Sequence, residues 1–182
     1  MSKFIMIDAV AGAPGAMSDT GTDQKFPLGY IARAEDKQTG ASSLYCGVGE
    51  FIYAAGSNVA SIGQFVQVQE APGANTALLL AAGNSASKFP VGVAAGVLSA
   101  TNVFGWVQVQ GLCDYARGAN TSIAAGLPLY ICAGTAGLLV TNAVAGNQVL
   151  GAVAPVSYTS SQSAAFVVQL ARPFVAGVTA GL

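Results

Sequence analysis

The sequence predicts an all-β fold, a β-sandwich or jelly-roll-like domain at residues 26–182, preceded by an extended N-terminal arm at residues 1–25. Three observations support this prediction. Short apolar stretches rich in β-branched and aromatic residues recur along the chain, Gly, Asn or Pro separates them, and no long stretch has a charged face opposite an apolar stripe. Regularly spaced short strands are typical of sandwiches and barrels, whereas an amphipathic helix needs a period of 3.6 residues.

The first 25 residues differ in composition from the rest of the chain. Residues 9–22 are mostly small or polar and follow neither the helical nor the strand period. Such a segment buries too little apolar surface to fix its own conformation, so we predict an arm that becomes ordered on a partner. Within the arm, residues 3–7 are predicted to add a short strand to a sheet edge, with Phe4 and Ile5 as interface contacts.

From Phe26 onwards the pattern predicts a succession of strands. They are expected at residues 28–34, 43–48, 51–54, 61–69, 77–80, 91–98, 103–112, 129–132, 138–140, 148–155 and 164–170. A charged turn is predicted at residues 35–37, and residues 116–125 are the one candidate for a short helix. The small, apolar tail after Pro173 is a candidate for crossing onto a neighbouring subunit.

The clearest strand signal is at residues 103–110, which contain the only tryptophan. Its residues alternate strictly, as in a half-buried strand. Val103, Val107 and Val109 fall on one face, and the other face carries Phe104, Trp106, Gln108 and Gln110. Two interpretations of that second face stay open, a sheet core and a protein interface, because an uncharged Gln can hydrogen-bond with either surrounding.

Asp114, Tyr115 and Arg117 form a second candidate interface site within a long apolar region. Tyr and Arg are common interface anchors, so we expect Tyr115 and Arg117 to contribute specificity contacts. The alternative is a turn with a local ion pair between Asp114 and Arg117, which contributes little when it is exposed.

Charged residues are scarce. The chain has 7 basic and 8 acidic residues, or 8% of the total, against about 25% in an average soluble protein. A monomer normally covers its surface with such residues, so the composition favours a chain whose surface is partly covered in an assembly. The net charge of −1 argues against a nucleic-acid partner. No apolar run approaches the length of a membrane span, and no export signal is evident, so we expect synthesis in the cytoplasm.

Catalytic and metal-binding constellations are poorly represented. The absence of histidine excludes His-based triads and the commonest metal ligand. The three cysteines lack C-x-x-C spacing and are expected to be free thiols, so neither a metal nor a cofactor is predicted.

The triplet Asp19-Thr20-Gly21 matches the aspartic-protease motif, but no strand precedes it and only a homodimer could supply a second copy; a turn is the alternative. Asp19, Asp23, Glu35 and Asp36 lack the spacing of a calcium loop.

Five motifs occur in order in the second half of the chain: VGVAAGVLSA at residues 91–100, FGWVQVQG at 104–111, AAGLPLYI at 124–131, TAGLLV at 135–140 and GNQVLGAVA at 146–154. This succession resembles the decoration, or cement, proteins of tailed-bacteriophage heads. The resemblance spans residues 89–170 and brings no catalytic residues with it.

The resemblance implies a β-rich dimer or trimer that binds the major capsid protein on the exterior of the virion and clamps neighbouring capsomers. Two alternative functions stay open. One is another virion subunit, such as a major shell or tail-tube protein, although a shell protein usually needs a longer chain with clear helices. The other is an aspartic-protease-like enzyme acting through Asp19.

Overall fold

The computed structural model describes eight segments of the chain: residues 4–6, 16–36, 47–71, 74–82, 89–119, 122–143, 146–159 and 165–176. These residues form eleven β-strands and no α-helix, which confirms the predicted all-β, sandwich-like class. The strands are β1 (Phe4–Met6), β2 (Ile31–Asp36), β3 (Val48–Ser57), β4 (Phe65–Ala71), β5 (Ala74–Leu79), β6 (Val91–Ala94), β7 (Phe104–Arg117), β8 (Pro128–Ile131), β9 (Leu139–Val140), β10 (Gln148–Val153) and β11 (Ala165–Val175).

Five of these strands form a closed ring of backbone pairings. Strand β3 pairs in parallel with β5, and antiparallel pairings then join β5 to β4, β4 to β6, β6 to β7 and β7 back to β3. The ring closes at Val107 and Gln108, because both residues pair with β6 on one side and with β3 on the other. One compact apolar cluster fills the interior of the ring; its buried members are Ala54, Val59, Val66, Val68, Ala77, Ala94, Leu98, Val107 and Val109.

The second half of β7 leads into the remaining strands. Antiparallel pairings join β7 to β11, β11 to β10, β10 to β8 and β8 to β9. Gly118, directly after β7, forms a parallel bridge back to Leu139 of β9. A larger apolar cluster connects this group to the outer face of the ring, and the rings of Phe65 and Phe166 stack across it at 6.4 Å. Strand β7 therefore belongs to both halves of the fold.

Strand β1 lies at one edge of the sheet. Phe4–Met6 pairs antiparallel with Ala34–Asp36 of β2, which confirms the prediction that this part of the N-terminal region adds an edge strand. The rest of the predicted arm before residue 16 lies outside the described residues. Residues 16–25 were predicted to belong to the extended arm. They pack against the domain instead, since Met17 is buried and Gly21 bridges to Phe104.

Three local predictions are wrong, and in each case sheet pairing overrides the local sequence. The described residues of the candidate helix, 116–119 and 122–125, are not helical, because Ala116 and Arg117 continue β7 against β11 and Ile123 bridges to Tyr158. The predicted charged turn begins with Glu35 and Asp36, which instead end β2 opposite β1. The break predicted between residues 48 and 51 is also absent, because β3 runs unbroken from Val48 to Ser57. The predicted tail beyond Ala176 lies outside the described residues.

Gly63 fixes the position at which the loop before β4 crosses β7. Its φ of +87° is unfavourable for other residues, and a Cβ here would collide with the carbonyl oxygen of Tyr115. The Gly63 N–H donates to the carbonyl of Ala94, and its own carbonyl accepts from the N–H of Arg117. The absence of a side chain therefore lets this loop hydrogen-bond to the elements on both sides.

Candidate functional site

The segment at residues 16–25 is fixed across the beginning of β7. The N–H of Gly21 donates to the carbonyl of Phe104 at 3.1 Å, and the N–H of Phe104 donates to the carbonyl of Gly21 at 2.8 Å. The N–H of Lys25 donates to the hydroxyl of Tyr53 at 3.2 Å. Together with the buried side chain of Met17, these bonds hold a short polar segment in one conformation although it has no strand or helix of its own.

Gly105 leaves the space into which this segment packs. A Cβ at Gly105 would lie 3.0 Å from the Thr20 methyl and 2.8 Å from a methyl of Leu98. Those separations are too short for ordinary van der Waals contact. A glycine in the middle of a strand weakens it, and a common reason for its presence is such a close approach.

Beneath the segment lies a cluster of aromatic side chains. The ring centroid of Trp106 is 4.9 Å from that of Tyr53, 5.1 Å from that of Phe26 and 6.3 Å from that of Tyr30. Phe104 stacks on Tyr53 at 6.4 Å. Such tilted and offset contacts are favourable beyond the apolar area that they bury. The rings come from three regions of the chain and meet because β3 and β7 are paired.

A small pocket opens between the segment and the aromatic cluster, with a volume of about 50 Å³. Its walls include the rings of Phe26, Tyr53, Phe104 and Trp106. Its charged lining residues are Asp19, Asp23 and Lys25. All three charged residues are exposed to solvent. The pocket thus combines aromatic walls with a polar rim that carries one more negative charge than positive charge. We call it the aromatic pocket.

On the same face of β7, Gln108 is fully buried and forms a hydrogen-bond network. Its Oε1 accepts from the hydroxyl of Tyr115 at 2.8 Å. Its Nε2 donates to the carbonyls of Leu112 at 3.1 Å and Gln110 at 3.3 Å. Buried polar groups must be paired to avoid a desolvation cost. The Gln108 side chain therefore hydrogen-bonds to two carbonyl oxygens of its own strand. These carbonyls lie where the strand paired with β7 changes from β3 to β11.

A second cavity, of about 300 Å³, is lined by residues of β2, β3, β7 and β11 and by Pro90. It is mostly apolar, with Ile31, Ile52, Val109, Pro173 and Phe174 in its lining. Ile31 and Phe174 are about half exposed. At its margin Arg172 donates to a carboxylate oxygen of Glu50 at 2.7 Å. We call this region the apolar groove.

The predicted interface residues fall into separate environments. Trp106 and Gln108 are 4% and 0% exposed, so the core interpretation of their face describes both of them. Tyr115 is also buried, at 5% exposed, which neither interpretation of its site predicted. The turn given as the alternative at Asp114 and Arg117 is absent, because both residues lie in the continuous strand β7. The interface role stays a prediction for the partly or fully exposed residues Phe104, Gln110 and Arg117, and for Phe4 and Ile5.

The acidic residues that the sequence singles out are only partly brought together. Asp19 and Asp23 line the aromatic pocket, whereas Glu35 and Asp36 lie on β2. Within the described ranges, no three residues of the His, Cys, Asp and Glu types are grouped as metal ligands would be. Sequence reasoning missed Phe26, Tyr30 and Tyr53. The sequence does contain one signal for this site: two aromatic residues, at positions 26 and 30, follow the charged residues Asp23 and Lys25 closely along the chain.

Comparison with known proteins gives no match to a protein-family model, to a curated protein or to a solved structure. Among the described residues, no helix has both the length and the apolar character required to cross a bilayer.

Proposed function

We propose that this chain is a bacteriophage capsid decoration protein. It binds the outer surface of the assembled head and stabilises the head by bridging neighbouring capsomers. Its partners are the major capsid protein and further copies of itself, and it performs no catalysis. The proposal is supported by the resemblance of residues 89–170 to decoration proteins and by an all-β fold with a very low content of charge.

The observation that carries the proposal is the apolar character of the surface. Within the described part of the chain, seven large apolar residues are exposed by 36–52%: Ile31, Val48, Val97, Leu127, Val153, Val156 and Phe174. A soluble monomer tolerates scattered exposed apolar residues, but contiguous groups of them are typical of interaction sites. With only 8% charged residues, the surface offers little to keep neighbouring subunits apart.

Two groups can be distinguished among the exposed residues. Ile31 and Phe174 belong to the apolar groove. Leu127 and Val153 come together where β8 pairs with β10, because Val153 lies opposite Pro128 and the N–H of Gly126 donates to the carbonyl of Ala154. A subunit that bridges two neighbours needs two such surfaces. The physical effect is mass action, since a protein that binds only the assembled shell stabilises it by its binding free energy, and many copies add avidity.

The test is to add the purified protein to shells that lack it and to measure their resistance to heat and to low salt. We expect saturating protein to raise the temperature of shell disruption. Phe174→Asp and Leu127→Asp, one in each group, should each weaken the effect, whereas the control Asn142→Asp adds the same charge at another exposed site and should retain it. Unchanged shell stability at saturating protein would contradict the proposal.

A further inference from the structure

We propose that the aromatic pocket binds the guanidinium group of an arginine side chain from a partner protein. The proposal goes beyond decoration of a capsid, because it assigns a ligand class to one defined site. It depends on the size of the pocket, its charge, its aromatic walls and the fixed position of its rim.

The volume of the pocket limits its ligand to a small group. A cavity needs about 10–15 Å³ to hold one water molecule, and a cavity of about 150 Å³ can hold benzene. At about 50 Å³, the aromatic pocket has room for the planar end of a side chain but not for a sugar or nucleobase ring. The remainder of the ligand must therefore stay outside the pocket, as the backbone of a partner protein would.

The charge of the rim selects a cation. Asp19 and Asp23 contribute two carboxylates and Lys25 contributes one ammonium group, so the lining carries a net charge of −1. An anion would meet two carboxylates at the entrance. A cation would meet them favourably and, once inside, would be attracted to the ring faces of Phe104 and Trp106, where the π electrons are concentrated.

A guanidinium group fits this combination better than an ammonium group does. It is planar, it is more weakly hydrated, and it stacks on aromatic rings while its N–H groups point outward in its own plane. Those N–H groups can donate to the two carboxylates at the rim. An ammonium group would lose more hydration energy on entering an aromatic site and offers no flat surface.

The rim is organised before any ligand arrives. The paired hydrogen bonds between Gly21 and Phe104 hold the backbone between Asp19 and Asp23, and the bond from the Lys25 N–H to the Tyr53 hydroxyl holds it after Asp23. At the other end, the N–H of Asp19 donates to the carbonyl of Ala16 at 2.9 Å. A ligand therefore meets a backbone that is already in place, which lowers the entropic cost of binding. This organisation distinguishes the site from two carboxylates on an unconstrained loop.

The chain supplies its own reporter for the test, because Trp106 is the only tryptophan and lines the pocket. Titration of the purified protein with N-acetylarginine amide at constant ionic strength should give a saturable change in tryptophan emission. The citrulline analogue, which has nearly the same shape without the charge, should give no saturable change, and the lysine analogue should bind more weakly. Equal binding of the citrulline or the lysine analogue would overturn the proposal.

Variants identify where the ligand binds. Asp19→Asn and Asp23→Asn should each weaken arginine binding by about two- to fivefold, as expected for an exposed charge pair. Phe104→Leu removes a ring while keeping the backbone bridge to Gly21, and a similar loss is expected. Glu50→Gln neutralises a carboxylate outside the pocket and serves as the matched control. Circular dichroism verifies the fold of each variant, and unchanged arginine affinity in both folded Asp variants would contradict the assignment.

The titration uses the isolated protein, so its result does not depend on the proposed role in a capsid. Failure to stabilise shells together with arginine binding would reject the proposed function and keep the site. Stabilised shells with no arginine binding would reject the site alone.

Discussion

Between Gly105 and Val109 both faces of β7 are buried, but by different chemistry. The face inside the ring presents Val107 and Val109 to a cluster made only of apolar residues. The opposite face presents Trp106, Gln108 and Tyr115 to aromatic rings and to a hydrogen-bond network. The packing of the first face depends on side-chain volume alone. The packing of the second face depends also on ring geometry and on paired polar atoms, and this face borders the aromatic pocket.

This difference predicts different responses to mutation. A face that depends on volume should respond to changes in side-chain size, in either direction. A face with buried polar atoms should respond even to a substitution that conserves volume, because the partners left behind lose their hydrogen bonds.

The largest effect is expected for Trp106→Ala. Loss of a buried indole that contacts Phe26, Tyr30 and Tyr53 should lower the free energy of unfolding by about 3–5 kcal/mol. Val107→Ala, the neighbour on the inner face, removes the equivalent of about two methylene groups and should cost about 1.5–2.5 kcal/mol. Urea unfolding followed by circular dichroism measures both. A larger loss for Val107→Ala would show that the aromatic face is not the more strongly packed one.

The next effect is expected for Gln108→Leu, which nearly conserves volume but removes the network. The hydroxyl of Tyr115 and the carbonyls of Gln110 and Leu112 lose a buried partner, so we expect a loss of about 2–3 kcal/mol. Gln110→Leu changes the same residue type two positions away at an exposed site, and it should remain within about 0.5 kcal/mol of the parent. Equal unfolding free energies for the two variants would contradict the network.

Coupling between Gln108 and Tyr115 provides a sharper measure of the same network. Because the two side chains share one hydrogen bond of 2.8 Å, a double-mutant cycle with Tyr115→Phe and Gln108→Leu should give a coupling energy of about 0.5–2 kcal/mol. Additive losses would indicate that the two side chains act independently.

A smaller effect is expected from overpacking the ring. Val107→Leu adds one methylene group to a closed interior and should cost about 1–2 kcal/mol. Val97→Leu makes the same change at a residue that is 38% exposed, and it should have almost no effect. Thermal unfolding compares the two variants. Equal melting temperatures would show that the ring interior has free space.

The smallest effect is expected at the ion pair beside the apolar groove. The side chain of Arg172 is 61% exposed and that of Glu50 is 22% exposed, so Arg172→Gln should cost at most about 1 kcal/mol. The loss should shrink further in 1 M salt because screening weakens an exposed pair. A large, salt-independent loss in urea unfolding would mean that the pair behaves as a buried one.

The sequence predicts β7 as far as Leu112, but it misses the continuation of the strand to Arg117 and the surroundings of its polar face. Strict alternation assigns Val107 and Trp106 to opposite faces, as found. It does not reveal that Gln108 is buried, because its hydrogen-bond partner Tyr115 lies seven residues further along the same strand. Alternation also cannot predict the closed ring, since pairing between β3 and β7 joins residues about fifty positions apart and is decided by packing on both faces.

The aromatic pocket is a clearer example of what the sequence leaves out. The triplet containing Asp19 is visible as a motif, and Asp23 is visible as a nearby carboxylate. Their relation to Tyr53 and Trp106 depends on the backbone bridge between Gly21 and Phe104. Residue periodicity does not predict a bridge formed by an irregular segment. The pocket, with its aromatic walls and acidic rim, is therefore visible only in the tertiary structure.

The proposed role is tested most directly by electron microscopy of the particle with which this chain co-purifies. The account predicts copies of an all-β domain at regular lattice positions on the outside of the capsid, each in contact with two neighbouring capsomers. A position within the continuous shell or the tail tube would contradict decoration, and so would a chain that remains a free monomer and associates with no particle.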